Sequence, residues 1–145
     1  QTFSKAWGLA AVRLGMAFAS PEIIRLFNKV KYPYNVNQLT QEFVLNEIEQ
    51  VERKQSWVKT LLDGRAFLTE QLKSLGDVLE IYPTDANFVL VKVTDANGIY
   101  AKLADSGVIV RNRNSVTLCG NCLRITVGTE EENKELIDIW RKLGI

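Results

Sequence analysis

The run Asn87-Phe88-Val89-Leu90-Val91-Lys92-Val93 decides the fold class. Extended backbone alternates its side chains, so Phe88, Leu90 and Lys92 share one face and Val89, Val91 and Val93 the other. Apolar residues on both faces mark a central strand. Residues 78–82 form a shorter strand just before it. After it, Asp95 caps a helix that holds Ile99, Tyr100 and Leu103 and ends at Gly107. Residues 108–110 and 123–127 supply two more strands. Thr129 with Glu132 has the pattern of a capping box, and Glu130, Glu131 and Glu132 complement the dipole of the helix that follows. That helix presents Leu136, Ile137, Trp140 and Leu143 and stops at Gly144. Strand, strand, helix, strand, strand, helix predicts an α/β fold of the α+β kind. Its sheet is small and mostly antiparallel, with helices on one face.

Upstream, residues 37–75 carry a long helical period. Leu39, Phe43, Ile48 and Val51 mark its first half, and Trp57, Leu61, Phe67, Leu68, Leu72 and Leu75 its second. The phase slips at residues 46–49, which predicts a kink or a pair of helices. Trp57, Phe67 and Trp140 sit at core spacing and are expected to pack inside. Ser20, as N-cap, and Pro21, at the first helical position, start a shorter helix. Pro33, in Tyr32-Pro33-Tyr34-Asn35, breaks the chain after it. The expected organisation is residues 1–35 as the end of another structural layer, 36–76 as a linking helix or helix pair, and 77–145 as a small domain. Residues 1–35 hold no strand and helix set able to close a core of their own.

The composition excludes several classes. The chain has 145 residues, 46% apolar and 24% charged, with a net charge of +1. That is ordinary for a globular chain and gives no field suited to nucleic acid. No apolar run reaches membrane-spanning length. Two cysteines and no histidine argue against a disulfide framework and against a metal site, and point to the cytoplasm. Cys119-Gly120-Asn121-Cys122 precedes a strand rather than a helix, so it is read as a turn and not as a redox pair.

The chemistry lies at the start. In Ser4-Lys5-Ala6-Trp7-Gly8-Leu9-Ala10-Ala11-Val12-Arg13-Leu14-Gly15 a hydroxyl adjoins a lysine, and an arginine follows eight residues later. A lysine in an apolar setting can lose its proton and attack a carbonyl, giving a Schiff base. Ser4 and Arg13 could together hold a phosphate dianion. A phosphorylated aldehyde needs that set. A surface lysine and arginine flanking a buried apolar turn would have the same spacing. Arg111 and Arg124 each border a short apolar strand, where an arginine is often an edge residue with its head in water.

The segment from Ser4 to Gly15 resembles the cofactor-lysine segment of fold-type I, pyridoxal-phosphate-dependent aminotransferases of class I and II. The resemblance continues through Pro33-Tyr34-Asn35-Val36, Ala86-Asn87-Phe88, Gly107-Val108-Ile109-Val110-Arg111 and Leu123-Arg124-Ile125-Thr126-Val127-Gly128-Thr129. In that order the landmarks look most like the histidinol-phosphate aminotransferase family. The resemblance implies that Lys5 binds pyridoxal 5'-phosphate covalently and shuttles the proton. It implies that Ser4 and Arg13 hold the cofactor phosphate, that Arg124 grips a substrate carboxylate and that Arg111 faces a distal phosphate. Asn35 would sit at a hinge near the substrate. The substrates implied are histidinol phosphate and 2-oxoglutarate or glutamate, in a homodimer. The chain opens on Gln1 rather than Met, and the ring-binding residues of the family have no counterpart in it. The expectation is therefore a C-terminal portion, inactive by itself. Two alternatives stay open. One is a threonine-phosphate decarboxylase of the same superfamily; the other is a free-standing α/β binding module in which Lys5 is incidental.

Overall fold

Val89, Val91 and Val93 are completely buried, while Phe88 and Leu90 are half-buried and Lys92 is exposed. This alternation sets the architecture of the computed structural model, which describes residues 1–144. The chain forms two units, residues 1–58 and 59–145.

In the second unit, β1 (Val78–Ile81), β2 (Phe88–Val93), β3 (Arg111–Asn112) and β4 (Cys122–Thr126) form an antiparallel sheet of order β1-β2-β4-β3. β2 is central, as its apolar faces predict. One face of the sheet carries Val89, Val91, Val93, Leu123 and Ile125. It packs against Leu68 and Leu72 of α3 (Val51–Lys73), Ile99 and Leu103 of α4 (Ala96–Asp105), and Leu136, Ile137 and Trp140 of α5 (Glu130–Lys142). All three helices therefore cover the same side. The other side keeps Phe88, Leu90, Lys92, Arg124 and Thr126 partly or fully open to water.

The predicted helix ends hold. Asp95 accepts from the amides of Asn97 and Gly98 at 3.1 and 3.0 Å. At the far end of α4, the amide of Gly107 donates to Ala104 and that of Val108 to Leu103. This six-to-one closure needs the left-handed φ of +86° that Gly107 supplies. The Thr129 capping box is complete. The Glu132 amide donates to Thr129 Oγ1 at 3.2 Å, and the Thr129 amide donates to Glu132 Oε2 at 2.7 Å. Replacing Thr129 by alanine is expected to destabilise this unit by about 1 kcal/mol, read as a lower denaturation midpoint with an unchanged slope.

Two sequence expectations are corrected, and a third holds in position only. Residues 108–110 are not a strand. Val108 is used to close α4, and the segment stands off β4 across a gap of about 370 Å³ lined by Val108, Ile109, Ile125, Thr126 and Leu136. Strand pairing begins only at Arg111. Trp57 is not core, being 45% exposed with the Arg53 guanidinium 5.1 Å over its ring. Ser20 occupies the N-cap position, but its side chain caps no helix amide.

In the first unit, an N-terminal loop closes on itself. Thr2 bridges Gly15, the Phe3 amide donates to Leu14 at 3.3 Å, and the Gln1 ammonium donates to Met16 at 2.7 Å. Phe3, Leu9 and Val44 form a small core with Trp7, Val12, Leu14 and Ile48 around it. Val44 belongs to α2 (Gln38–Glu47), whose N-cap Asn37 accepts from the Thr40 amide at 2.9 Å. The predicted phase slip is the break between α2 and α3. The helix α1 (Pro21–Val30) buries none of its residues, and Ile23, Leu26 and Phe27 are exposed.

Candidate functional site

The first cluster is the N-terminal loop. Its pairing runs Thr2 against Gly15 and Phe3 against Leu14. The pairing ends there, because the Phe3 carbonyl accepts from the Leu9 amide and the Arg13 amide donates to the Ala10 carbonyl. The Thr2 hydroxyl donates to Ser4 Oγ at 2.9 Å and accepts from the Ser4 amide at 3.1 Å. Thr2 thus orients the Ser4 hydroxyl and leaves its proton free to donate elsewhere. Arg13 adopts a left-handed conformation with φ 52° and ψ 37°. A non-glycine residue there is strained by about 1 kcal/mol or more, and such strain concentrates at functional positions. Arg13 Nη1 donates to the Ala10 carbonyl at 3.0 Å, so the guanidinium is held while its remaining donors stay available.

Lys5 leads into a turn closed by the Gly8 amide on its carbonyl at 2.8 Å. Its side chain is exposed, so the apolar enclosure that the sequence reading invoked does not surround it in this structure. Among the described residues, neither Lys5 nor Arg13 is ion-paired to a carboxylate. An amine, a hydroxyl and a guanidinium therefore stand on one short loop, with neither cation ion-paired among the described residues. Asn35 lies in the same unit, exposed, beside a depression of about 480 Å³ that Pro33, Tyr34, Val36 and Leu45 also line.

The second cluster is on the open face of the sheet. Arg111 on β3 stands directly opposite Arg124 on β4. Like charges in directly opposed positions destabilise a sheet. The Arg124 guanidinium carbon lies 5.1 Å over the Phe88 ring, and its Nε is buried without a hydrogen-bond partner. Neither arginine is ion-paired among the described residues. Two unneutralised guanidinium groups side by side are suited to an anion, and a carboxylate fits the fork of either.

Sequence reasoning overlooked Thr2 and Phe88 as parts of these clusters. Phe88 had no local signal: it becomes the diagonal neighbour of Arg124 because β2 pairs Leu90 with Arg124 and Phe88 with Thr126, a register between segments far apart in the chain. Cys119 and Cys122 are both free thiols. Burial pushes the Cys122 thiol upward, followed by the effect of Cys119, which leaves it a poor nucleophile at neutral pH. Among the described residues, no helix is long and apolar enough to cross a membrane.

The aminotransferase class I and II family matches residues 1–139, and the chain belongs to that family. It is 56% identical over 142 residues to a histidinol-phosphate aminotransferase of Bacteroides fragilis, covering 98% of this chain and 41% of that protein. The enzyme of the same name from Cytophaga hutchinsonii is 51% identical over 141 residues, covering 97% and 40%. The chain thus spans about two-fifths of the length of these relatives. Among solved structures, histidinol-phosphate aminotransferase from Sinorhizobium meliloti in complex with pyridoxal-5'-phosphate superposes with a TM-score of 0.81. It covers 98% of this chain and 40% of that one at 23% identity, a likeness of fold.

Proposed function

We propose that this chain serves a pyridoxal-phosphate-dependent aminotransferase that moves an amino group between L-histidinol phosphate and 2-oxoglutarate. The observation that carries the substrate side is the Arg111 and Arg124 pair, opposed on one sheet face with Arg124 Nε buried and unpartnered. Relatives above 50% identity bearing the histidinol-phosphate aminotransferase name support the particular reaction.

The residues of the N-terminal loop fit the cofactor by the chemistry of their donors. Ser4 and Arg13 would hold the phosphate, the hydroxyl by a hydrogen bond and the guanidinium by charge. The Lys5 amine would take the aldehyde. Bound there, pyridoxal phosphate supplies the electron sink that acidifies the bond to the reacting α-hydrogen. Lys5 Nζ then carries the proton to and from the substrate Cα. Arg124 holds the α-carboxylate of 2-oxoglutarate or glutamate, a group that L-histidinol phosphate lacks, and Arg111 faces the phosphate of L-histidinol phosphate, while Asn35 lies at the hinge beside the substrate. On the same reading, residues 1–35 close a large cofactor domain, 36–76 link it, and 77–145 form the small domain. The exposed Ile23, Leu26 and Phe27 of α1 support a face that packs against further protein. The assembly proposed is a homodimer acting in the cytoplasm on small molecules.

The test is covalent capture. Incubation with pyridoxal phosphate, reduction with borohydride and peptide mapping should place a phosphopyridoxyl group on Lys5. Lys5→Ala should lose that label, and Arg13→Gln should raise the concentration of cofactor needed for half-labelling. Labelling that spreads evenly over surface lysines, or that survives in Lys5→Ala, would overturn the cofactor assignment.

A further inference from the structure

The pairing of β3 with β4 does not stop at Asn112. The Arg113 amide donates to the Cys122 carbonyl at 2.9 Å, which continues the register of Arg111 with Arg124 and Asn112 with Leu123 by one residue. The two-residue period then puts Arg113 on the same face as Arg111 and Arg124. That face thus carries the guanidinium groups of Arg111, Arg113 and Arg124. The other ionisable groups on it are Lys92, which pairs with Cys122 on β4 and with Glu80 on β1, the buried Cys122 thiol, Glu80, and Tyr82 beside Leu90. Glu80 stands opposite Lys92, with β2 and β4 between it and the arginines of β3. No carboxylate is ion-paired to any of the three arginines among the described residues.

The backbone fixes Arg113 in place. The Val116 amide donates to the Arg113 carbonyl, the Cys119 amide to Val116 and the Cys122 amide to Cys119, so the loop folds turn upon turn. Asn114 Oδ1 accepts from the Asn121 amide at 2.8 Å and ties the two ends of that loop together. Asn112 Nδ2 donates to Asn97 Oδ1 at 2.8 Å and anchors the strand to α4. The Arg113 side chain itself takes part in no hydrogen bond or ion pair among the described residues, and it is half-buried. A preorganised backbone that carries an uncommitted cation beside two others is built for a ligand with more than one negative charge.

We infer that Arg113 is a third anion contact of this face and sets its preference for a phosphate monoester dianion over a carboxylate. The inference rests on the substrate reading of Arg111 and Arg124. A carboxylate is satisfied by the fork of one arginine, whereas a dianion with three acceptor oxygens can engage a further guanidinium.

The experiment uses the whole chain, labelled so that the arginine Nε–Hε resonances are observed, titrated with methyl phosphate and separately with acetate. Methyl phosphate should move the Arg111, Arg113 and Arg124 signals and bind more tightly above its second ionisation, at about pH 6, than below it. Arg113→Gln should weaken methyl phosphate binding roughly fivefold above that pH and leave acetate binding unchanged. It should also flatten the pH dependence. Arg113→Lys, which keeps the charge and loses the fork, should restore part of the loss. An Arg113→Gln chain that binds methyl phosphate as the unsubstituted chain does, while Arg124 still responds, overturns the role of Arg113 and leaves the substrate reading standing. Equal weakening toward both ligands overturns the preference. If neither ligand moves Arg124 in the unsubstituted chain, the substrate reading and this inference fall together.

Discussion

Replacing Trp140 by alanine is expected to destabilise the second unit by more than any other single side-chain truncation. The indole is 1% exposed and packs in the cluster of Leu68, Leu72, Ile99 and Ile137. Removing a buried aromatic of that size costs about 3–5 kcal/mol through lost transfer energy and the cavity left behind. A second loss adds to it. Trp140 Nε1 donates to Asp77 Oδ2 at 2.7 Å, and Asp77 is itself only 5% exposed. Without that donor a buried carboxylate oxygen is stranded, at a further penalty of about 1–3 kcal/mol. Small domains hold only about 5–15 kcal/mol in total, so Trp140→Ala should leave a large unfolded population without denaturant. Trp140→Phe separates the two losses, because it keeps most of the apolar volume and deletes the N–H. Its expected effect is about 1–3 kcal/mol, with Asp77→Asn in the same range. Denaturation followed by circular dichroism measures both. A Trp140→Ala midpoint within about 1 kcal/mol of the parent would mean that α5 is not held to the sheet as described.

Trp140 was legible in the sequence as a core residue; Asp77 was not legible as its partner. They are separated by 63 positions, and no local period links them. The same division runs through the molecule. Alternation in β2, the Thr129 capping box, the Gly107 closure and the break before α3 are written in neighbouring residues, and each stands where its pattern puts it. Residues 108–110 misled because a β-branched run favours a strand, while Val108 was already committed to ending α4. Trp57 misled because helical spacing gives the direction of a side chain and not what covers it. In the N-terminal loop, Lys5, Ser4 and Arg13 were singled out by type and spacing, and the structure adds that Thr2 bonds the Ser4 hydroxyl and that the Arg13 guanidinium is held on Ala10. The opposition of Arg111 to Arg124 depends on strand register between distant segments. Gly64 shows the same limit: a Cβ there would stand 2.9 Å from Asn133 Nδ2 and 3.0 Å from Val127 Cγ1. Only the packed structure shows that α3 needs a glycine at that level.

Arg124→Gln should behave in the opposite way to Trp140→Ala, losing ligand and keeping the fold. Three terms act on folding. The substitution removes a like-charge pair with Arg111, worth a few tenths to about 1 kcal/mol. It removes a buried Nε that has no partner, a burden of about 1–3 kcal/mol. Against these it gives up the stacking of the guanidinium on Phe88, about 0.5–2 kcal/mol, and part of the packing of the arginine stem. The terms nearly cancel, so stability should change by less than about 1 kcal/mol in either direction. Binding has no such compensation. A charge-assisted hydrogen bond contributes about 1.5–3 kcal/mol, so the affinity of the chain for 2-oxoglutarate should fall at least tenfold. Calorimetric titration with 2-oxoglutarate and denaturation of the same variant give both numbers. Unfolding comparable to Trp140→Ala would make Arg124 a structural residue. An unchanged affinity would remove it from the substrate site. A fold retained at the full loss of ligand is the outcome expected of an unpaired guanidinium that serves an anion, because the stacking on Phe88 already offsets the opposition to Arg111 in the sheet.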